Sequence, residues 1–261
     1  MADKMSILKN RSAVPLLCGW ALAVLLPMAS SGAEVRMAFG EKIPPFCFPE
    51  TDSGIEIEII REALAFRGHV LKPAYYPFAR IPIAFKAGSV DAAMTDLGEN
   101  MDKAGGYYGE PAVFYDNVFI TLKERNVTIK TPADLRGLTV IAFPGAARRY
   151  PLWLDDVKKS GRYFEQNNQS LQVMTLNAGH YDVALSDRSI FRYFSSALQK
   201  TKDFRPKPVV MHSFVKMNPQ DYRPVFRDPV VRDDFNAGLR QLKAAGRVNA
   251  IYKKYLGDQQ D

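Results

Sequence analysis

Few residues in this chain carry reactive chemistry, and their spacing argues against catalysis. The three histidines, His69, His180 and His212, are too scattered for a metal motif such as two histidines one helical turn apart. The two cysteines, Cys18 and Cys47, can build neither a disulfide-rich scaffold nor a four-thiolate zinc site. No Ser-His-Asp order, nucleophile elbow or phosphate loop occurs. Against 28 Asp and Glu stand 35 Lys and Arg, a net charge of +7 with no long block of one sign. That is a weak footprint for nucleic acid.

The residues that could hold a ligand need a framework, and composition permits one. The chain has 261 residues, 47% apolar and 24% charged, which fits one or two globular domains. Its start is expected to be a leader. Lys4, Lys9 and Arg11 precede an apolar run from Val14 to Ala29, and Ser31-Gly32-Ala33 puts small residues at the −3 and −1 positions of a cut after Ala33. The apolar run is shorter than roughly 18 residues and contains Pro15 and Pro27, which favours a secretory signal peptide over a membrane anchor. Cys18 lies inside the apolar run without a small residue before it, so lipidation is not expected. Cleavage would remove three basic residues and one acidic, leaving 32 against 27 and a net of +5. Cys47 would then be the only thiol, and stability must come from a packed core.

Downstream, short apolar runs alternate with amphipathic stretches. Strands are predicted at Val35–Phe39, Val70–Tyr76, Asp91–Thr95, Val113–Leu122, Leu138–Phe143, Leu171–Leu176, Asp182–Ser186 and Val209–Val215. Helices are predicted over Ile55–Phe66, around Ile81–Phe85, over Ala146–Lys159, after Ser186, around Val231–Leu242 and around Val248–Leu256. Thr131-Pro132 reads as an N-cap followed by proline at the first helical position. The strand–helix–strand pattern occurs twice, near 35–95 and 138–187, and predicts two small α/β lobes with mainly parallel sheets. Ligands bind such lobes at the carboxyl ends of their strands.

The ordered phrases of the chain resemble the extracellular solute-binding proteins, family 3, of bacterial ABC importers. Ile43-Pro44-Pro45-Phe46-Cys47-Phe48 is similar to the turn that ends the family's opening strand, and Gly54 to Leu64 to the helix after it. Phe78-Ala79-Arg80, Gly88-Ser89-Val90-Asp91 and Tyr108-Gly109-Glu110-Pro111 follow in family order. Leu135-Arg136-Gly137-Leu138-Thr139-Val140 with Gly145 resembles the opening of the family's second lobe. Gly179-His180-Tyr181-Asp182, Asp187, Ile251-Tyr252 and Leu256-Gly257 complete the set. The resemblance implies an α/β, two-lobed periplasmic binding protein fold (type II). Lobe one would span 34–122 with 214–261 and lobe two 123–213, joined by two hinge crossovers near Leu122–Arg125 and His212–Lys216.

The resemblance also nominates a site. Phe78 falls at a stacking position, with Phe46 and Phe48 bordering the same cleft and Arg80 beside it. Thr95 and Asp96 fall at the strand end that lines the pocket. The family's carboxylate-clamping arginine is absent; its place falls on Lys103 or Asp102, and a lysine offers a charge without the guanidinium fork. The second-lobe turn reads Gly145-Ala146-Ala147-Arg148-Arg149, where Arg148 could restore a guanidinium and the helix start is expected to offer free N–H groups. Asp187 falls where the family holds a ligand ammonium, and equally where a helix needs an N-cap. The three histidines are expected at strand ends or facing solvent, and Cys47 as a small buried side chain.

The function implied is a monomeric, non-catalytic periplasmic receptor, without cofactor or metal. It would capture a small polar or charged, amino-acid-like solute for an ABC permease or a sensor. Two alternatives stand beside it. One is an enzyme of the cyclohexadienyl dehydratase kind on the same scaffold, using Asp96, Glu99 and Lys103. The other is a signalling module whose pocket is filled by Phe78 and Tyr108.

Overall fold

The computed structural model describes Met1 and residues 32–94, 100–201, 203–216 and 222–257. Residues 2–31 of the expected signal peptide, and Thr95, Asp96 and Glu99, lie outside the described residues. In chain order the elements are β1 (Glu34–Gly40), α1 (Ile55–Ala65), β2 (Val70–Tyr76), α2 (Ile81–Lys86), β3 (Ala92–Met94), β4 (Tyr107–Tyr108), β5 (Asn117–Leu122), β6 (Val140–Ala142), α3 (Ala146–Arg149), α4 (Pro151–Lys159), β7 (Tyr163–Glu165), α5 (Gln169–Asn177), β8 (Val183–Asp187), α6 (Arg188–Gln199), β9 (Val209–Ser213), β10 (Pro224–Phe226), α7 (Pro229–Ala244) and α8 (Arg247–Leu256). Among the described residues no helix is long and apolar enough to cross a membrane.

These strands form two five-stranded sheets, ordered β2-β1-β3-β10-β4 and β7-β6-β8-β5-β9. In the first, β1 runs parallel to β2 and β3, while β10 runs antiparallel to β3 and β4. In the second, β6 runs parallel to β7 and β8, while β5 runs antiparallel to β8 and β9. Each sheet is therefore mixed rather than mainly parallel. The parallel halves come from the two strand–helix–strand stretches; each antiparallel half is built on the one strand that arrives from the other sheet, β10 in the first and β5 in the second.

Alternation of side chains gives each sheet two buried faces. On β1, Met37 and Phe39 pack with Ile57, Ile60 and Leu64 of α1 and Phe235 and Leu239 of α7, while Ala38 packs with Ile81 and Phe85 of α2. On β8, Val183 and Leu185 face Trp153 and Leu154 of α4, while Ala184 faces Val173 and Leu176 of α5 and Phe191 of α6. Helix α6 serves both layers. Its Ile190 belongs to the core over the first sheet, its Phe191 to the core over the second, and Phe194 touches both.

Two further expectations are corrected. The predicted strand Leu171–Leu176 is helical and forms part of α5. Asn168 caps it, its Oδ1 accepting from Leu171 N at 3.2 Å, and Gln172, Val173 and Leu176 are buried at helical spacing. The strand of that unit is β7, and the five residues 166–170 separate it from the apolar run. The long run Val113–Leu122 becomes a strand only from Asn117, and all of β5 pairs within the second sheet. By sheet membership the chain therefore first passes between sheets within 109–116, ahead of the expected Leu122–Arg125. It returns within 214–223, which overlaps the expected His212–Lys216.

Candidate functional site

Asp187 is the last residue of β8 and the N-cap of α6. A strand running straight into a helix forces this arrangement, since the first amides of α6 need an acceptor and the strand end supplies it. Oδ1 accepts from Ile190 N at 2.9 Å. Oδ2 is buried and has no hydrogen-bond partner among the described residues. The side chain is only 3% exposed. Burial is the main force that pushes its pKa up to about 7, against the pull of the nearby N–H groups of Ile190, Asp116 and Ser189; the carboxylate of Asp116 adds a little repulsion.

Across the strand pair, Asn117 lies in register with Asp187. Its Nδ2 donates to Tyr150 Oη at 2.9 Å. Arg149 Nε donates to the same oxygen at 3.2 Å, and Arg149 Nη2 donates to Tyr222 Oη. An arc of rings continues from there. Tyr222 packs on Tyr115 with ring centres 4.8 Å apart, Tyr115 on Phe46 at 4.3 Å, and Phe46 meets Tyr252 of α8 edge-on at 6.4 Å. Tyr115 and Tyr222 lie on the two passages between the sheets. The constellation thus runs from a carboxylate and a guanidinium on the second sheet's side to aromatic faces on the first. It brings together an acceptor with spare capacity, a forked cationic donor and aromatic rings.

Other residues singled out from the sequence lie elsewhere or face differently. Arg148 is exposed on α3, and its neighbour Arg149 is the one turned into the network. The amides at the α3 start are already used. Gly145 N donates to Glu165 Oε1 at 3.0 Å, Ala146 N to Phe143 O at 3.2 Å, and Ala147 N to Tyr163 Oη at 3.1 Å. The expected free N–H groups are therefore absent here, because β7 delivers Tyr163 and Glu165 to that turn. Phe48 packs on Tyr255 of α8 and Tyr193 of α6, both at 5.9 Å, rather than in the ring arc around Arg149. Phe78 lies over Gly40 at the end of β1, where a Cβ would come within 2.5 Å of its Cζ, and is itself 42% exposed. Arg80 is exposed beside it, and Lys103 is exposed in the turn Asp102–Ala104. Thr95 and Asp96 lie outside the described residues.

The signal for Arg149 was present in the sequence as the second of two adjacent arginines. Tyr115 carried a signal as the tyrosine that follows the Tyr108–Pro111 phrase of the family resemblance; Tyr150 and Asn117 carried none beyond their type. His69 stands next to Val70, the first residue of β2, and is buried: Nδ1 accepts from Ala33 N at 3.0 Å and Nε2 lies 2.9 Å from Asp234 Oδ2, tying the residue before β1 to α7. Tyr108 sits in β4, its Oη accepting from Met101 N at 3.0 Å. Cys47 is buried, its thiol donating to Gly40 O at 3.4 Å, and burial pushes its pKa up.

The fold is shared with several solved structures. An ancestral cationic amino acid solute-binding protein matches with a TM-score of 0.65 at 17% identity, over 86% of this chain and 96% of its own. A probable amino-acid ABC transporter extracellular-binding protein from Bacillus subtilis matches at 0.64 and 16%, over 87% and 100%. A histidine kinase sensor domain with similarity to periplasmic binding proteins matches at 0.61 and 19%, over 86% and 96%. No curated protein matches the chain in sequence. The profile of one family does match, over residues 35–258, which is nearly all of the chain beyond the expected leader. Sheet topology, paired strand–helix units and that match agree: the chain belongs to the bacterial extracellular solute-binding proteins, family 3.

Proposed function

We propose that this protein is a periplasmic receptor for a small amine-bearing carboxylate, an amino-acid-like zwitterion, which it presents to the permease of an ABC importer or to a membrane sensor. The single observation that carries the reading is Asp187 Oδ2, a buried acceptor with no partner at the end of a central strand. Leaving such an atom unpaired costs on the order of 1–3 kcal/mol, more if it is charged. A ligand ammonium would satisfy it. Arg149 supplies the matching pole, its guanidinium held by Tyr150 and Tyr222 and replacing the arginine that the first lobe lacks. Tyr115 and Tyr252 would line the apolar body of the solute, with Phe46 packed behind them in the core.

In this reading the two sheets with their helices are two lobes, joined through 109–116 and 214–223, that close on the solute. Only contacts made with both lobes favour the closed form. A leader cut after Ala33 would deliver the chain to the periplasm.

A thermal-shift screen of amino acids, polyamines and organic acids against the purified protein tests this. A zwitterionic class should raise Tm by mass action. Arg149→Ala should weaken its binding about 10- to 100-fold, the loss of one charge-assisted pair at ~1.5–3 kcal/mol. If folded protein responds to none of these, or responds equally well without Arg149 and Asp187, the reading fails.

A further inference from the structure

Just past the ends of β8 and β5, Arg188 N donates to Asp116 O at 2.9 Å. Antiparallel rungs alternate, so the next one, Asn117–Asp187, is of the closely spaced kind, without backbone bonds between its two residues. Both side chains leave the same face of the sheet, with Cβ atoms about 5 Å apart. Asn117 is only 9% exposed. Its Nδ2 is committed to Tyr150 Oη at 2.9 Å, which leaves Oδ1 to accept, and among the described residues no hydrogen bond reaches that oxygen. Asp187 Oδ2 stands on the same rung in the same condition. Two acceptors without donors thus lie side by side, and one of them belongs to a carboxyl group.

A cation can be held at such a place by ring faces or by acceptors. A quaternary ammonium needs open aromatic faces. The rings nearby are already covered. The Arg149 guanidinium lies over Tyr150 at 5.8 Å and over Tyr222 at 5.2 Å, each to the ring centre. Tyr222 packs on Tyr115, and Tyr115 on Phe46. A cation with N–H groups needs acceptors instead, and the rung offers two. Putting a methyl in place of either N–H would leave an acceptor desolvated and unpaired.

We propose, resting on the receptor reading above, that Asn117 is a specificity-determining residue. Its Oδ1 and Asp187 Oδ2 each accept one N–H of the solute's ammonium. The protein therefore takes amines with at least two N–H groups and rejects betaines, the zwitterions whose nitrogen carries no hydrogen. Arg149 cannot make that distinction, because amino acids and betaines present it with the same carboxylate.

Calorimetric titration of the purified protein tests this, with primary α-amino acids and the Nα-trimethyl betaine of each as probes. A bound amino acid should exceed its betaine in affinity by about 100-fold or more, since two acceptors lose their donors together. Asn117→Leu, which keeps the bulk and removes the oxygen, should weaken the amino acid about tenfold. Asn117→Asp keeps an acceptor while giving up the donor to Tyr150, and should retain most of the affinity. Two results would overturn this proposal and leave the receptor standing. One is a betaine bound as tightly as its parent with Arg149 still required. The other is Asn117→Asp as weak as Asn117→Leu, which would reduce Asn117 to a support for Tyr150. Folded protein that binds neither form would remove the receptor reading and this inference with it.

Discussion

Asp187 is asked to do two things at once, and its titration separates them. As an N-cap it needs only one oxygen, and Oδ1 does that work. The buried second oxygen makes the ionised form costly, which raises the carboxyl from 3.8 to about 7. The folded state therefore holds this proton more tightly than the unfolded chain. Stability from this group is fully present below about pH 3.8 and declines as pH rises through about 7, by at most roughly 4 kcal/mol at ~1.36 kcal/mol per unit. Urea unfolding of ligand-free protein should show that decline relative to Asp187→Asn, which should be flat over the same window apart from other groups. An ammonium ligand reverses the preference, because it binds the ionised carboxylate. Its affinity should fall as pH drops below about 7, and the Asn variant should lose both the affinity and its pH dependence. Parallel pH curves for the two proteins would remove Asp187 from the site.

Among the elements, α1 and α7 show most directly how a residue choice permits a packing. Gly238 of α7 lies so close to α1 that a Cβ would come within 2.0 Å of Ala63 O. Alanine would gain up to about 1 kcal/mol of helix propensity there. A clash with backbone cannot be relieved by a rotamer, and overpacking a core costs about 1–3 kcal/mol. Gly238→Ala should therefore lower Tm, whereas a gain in Tm would mean that the helices can part without loss. Elements of this kind were legible in the sequence because their own pattern dictates them. Val70–Tyr76 is a strand by composition, and the helices after Ser186 and around Val231–Leu242 show apolar faces at helical spacing. The strands β4, β7 and β10 have two or three residues each and are held by their partners rather than by any pattern of their own. Leu171–Leu176 misled because its leucines and valine fit either period. The site divides the same way. Asp187 could be found because a strand end and a helix start coincide there. Arg149 was missed by one position because α3 is only four residues long before Pro151 begins α4, so no periodicity says which arginine turns inward. The occupied amides of that turn were invisible because β7, the strand that occupies them, was itself unread.

For the molecule as a whole, closure requires that relative motion be absorbed where the chain passes between sheets. Phe214 begins the second passage, and its ring ties that passage to the second sheet's core. It lies 4.3 Å from Phe119, 5.1 Å from Trp153 and 5.0 Å from Tyr150, ring centre to ring centre. Tyr150 is in turn the oxygen shared by Arg149 and Asn117. A ligand that engages Arg149, or a hinge that turns at Phe214, must therefore alter the surroundings of Trp153. The chain has two tryptophans, and Trp20 falls within the expected leader, which leaves Trp153 as the only indole after cleavage. Trp153 is nearly buried, so its resting emission should be blue-shifted and steady, and a change on ligand addition would report the hinge rather than solvent noise. The expected outcome is a saturable emission change with one-to-one stoichiometry for the ligand class found by thermal shift. Phe214→Leu should shrink that change while leaving calorimetric affinity near wild type, because the ring couples the passage to the indole without touching the solute. Binding that is tight by calorimetry yet silent at Trp153 in the unsubstituted protein would place the moving segment elsewhere, and with it the boundary between the two lobes.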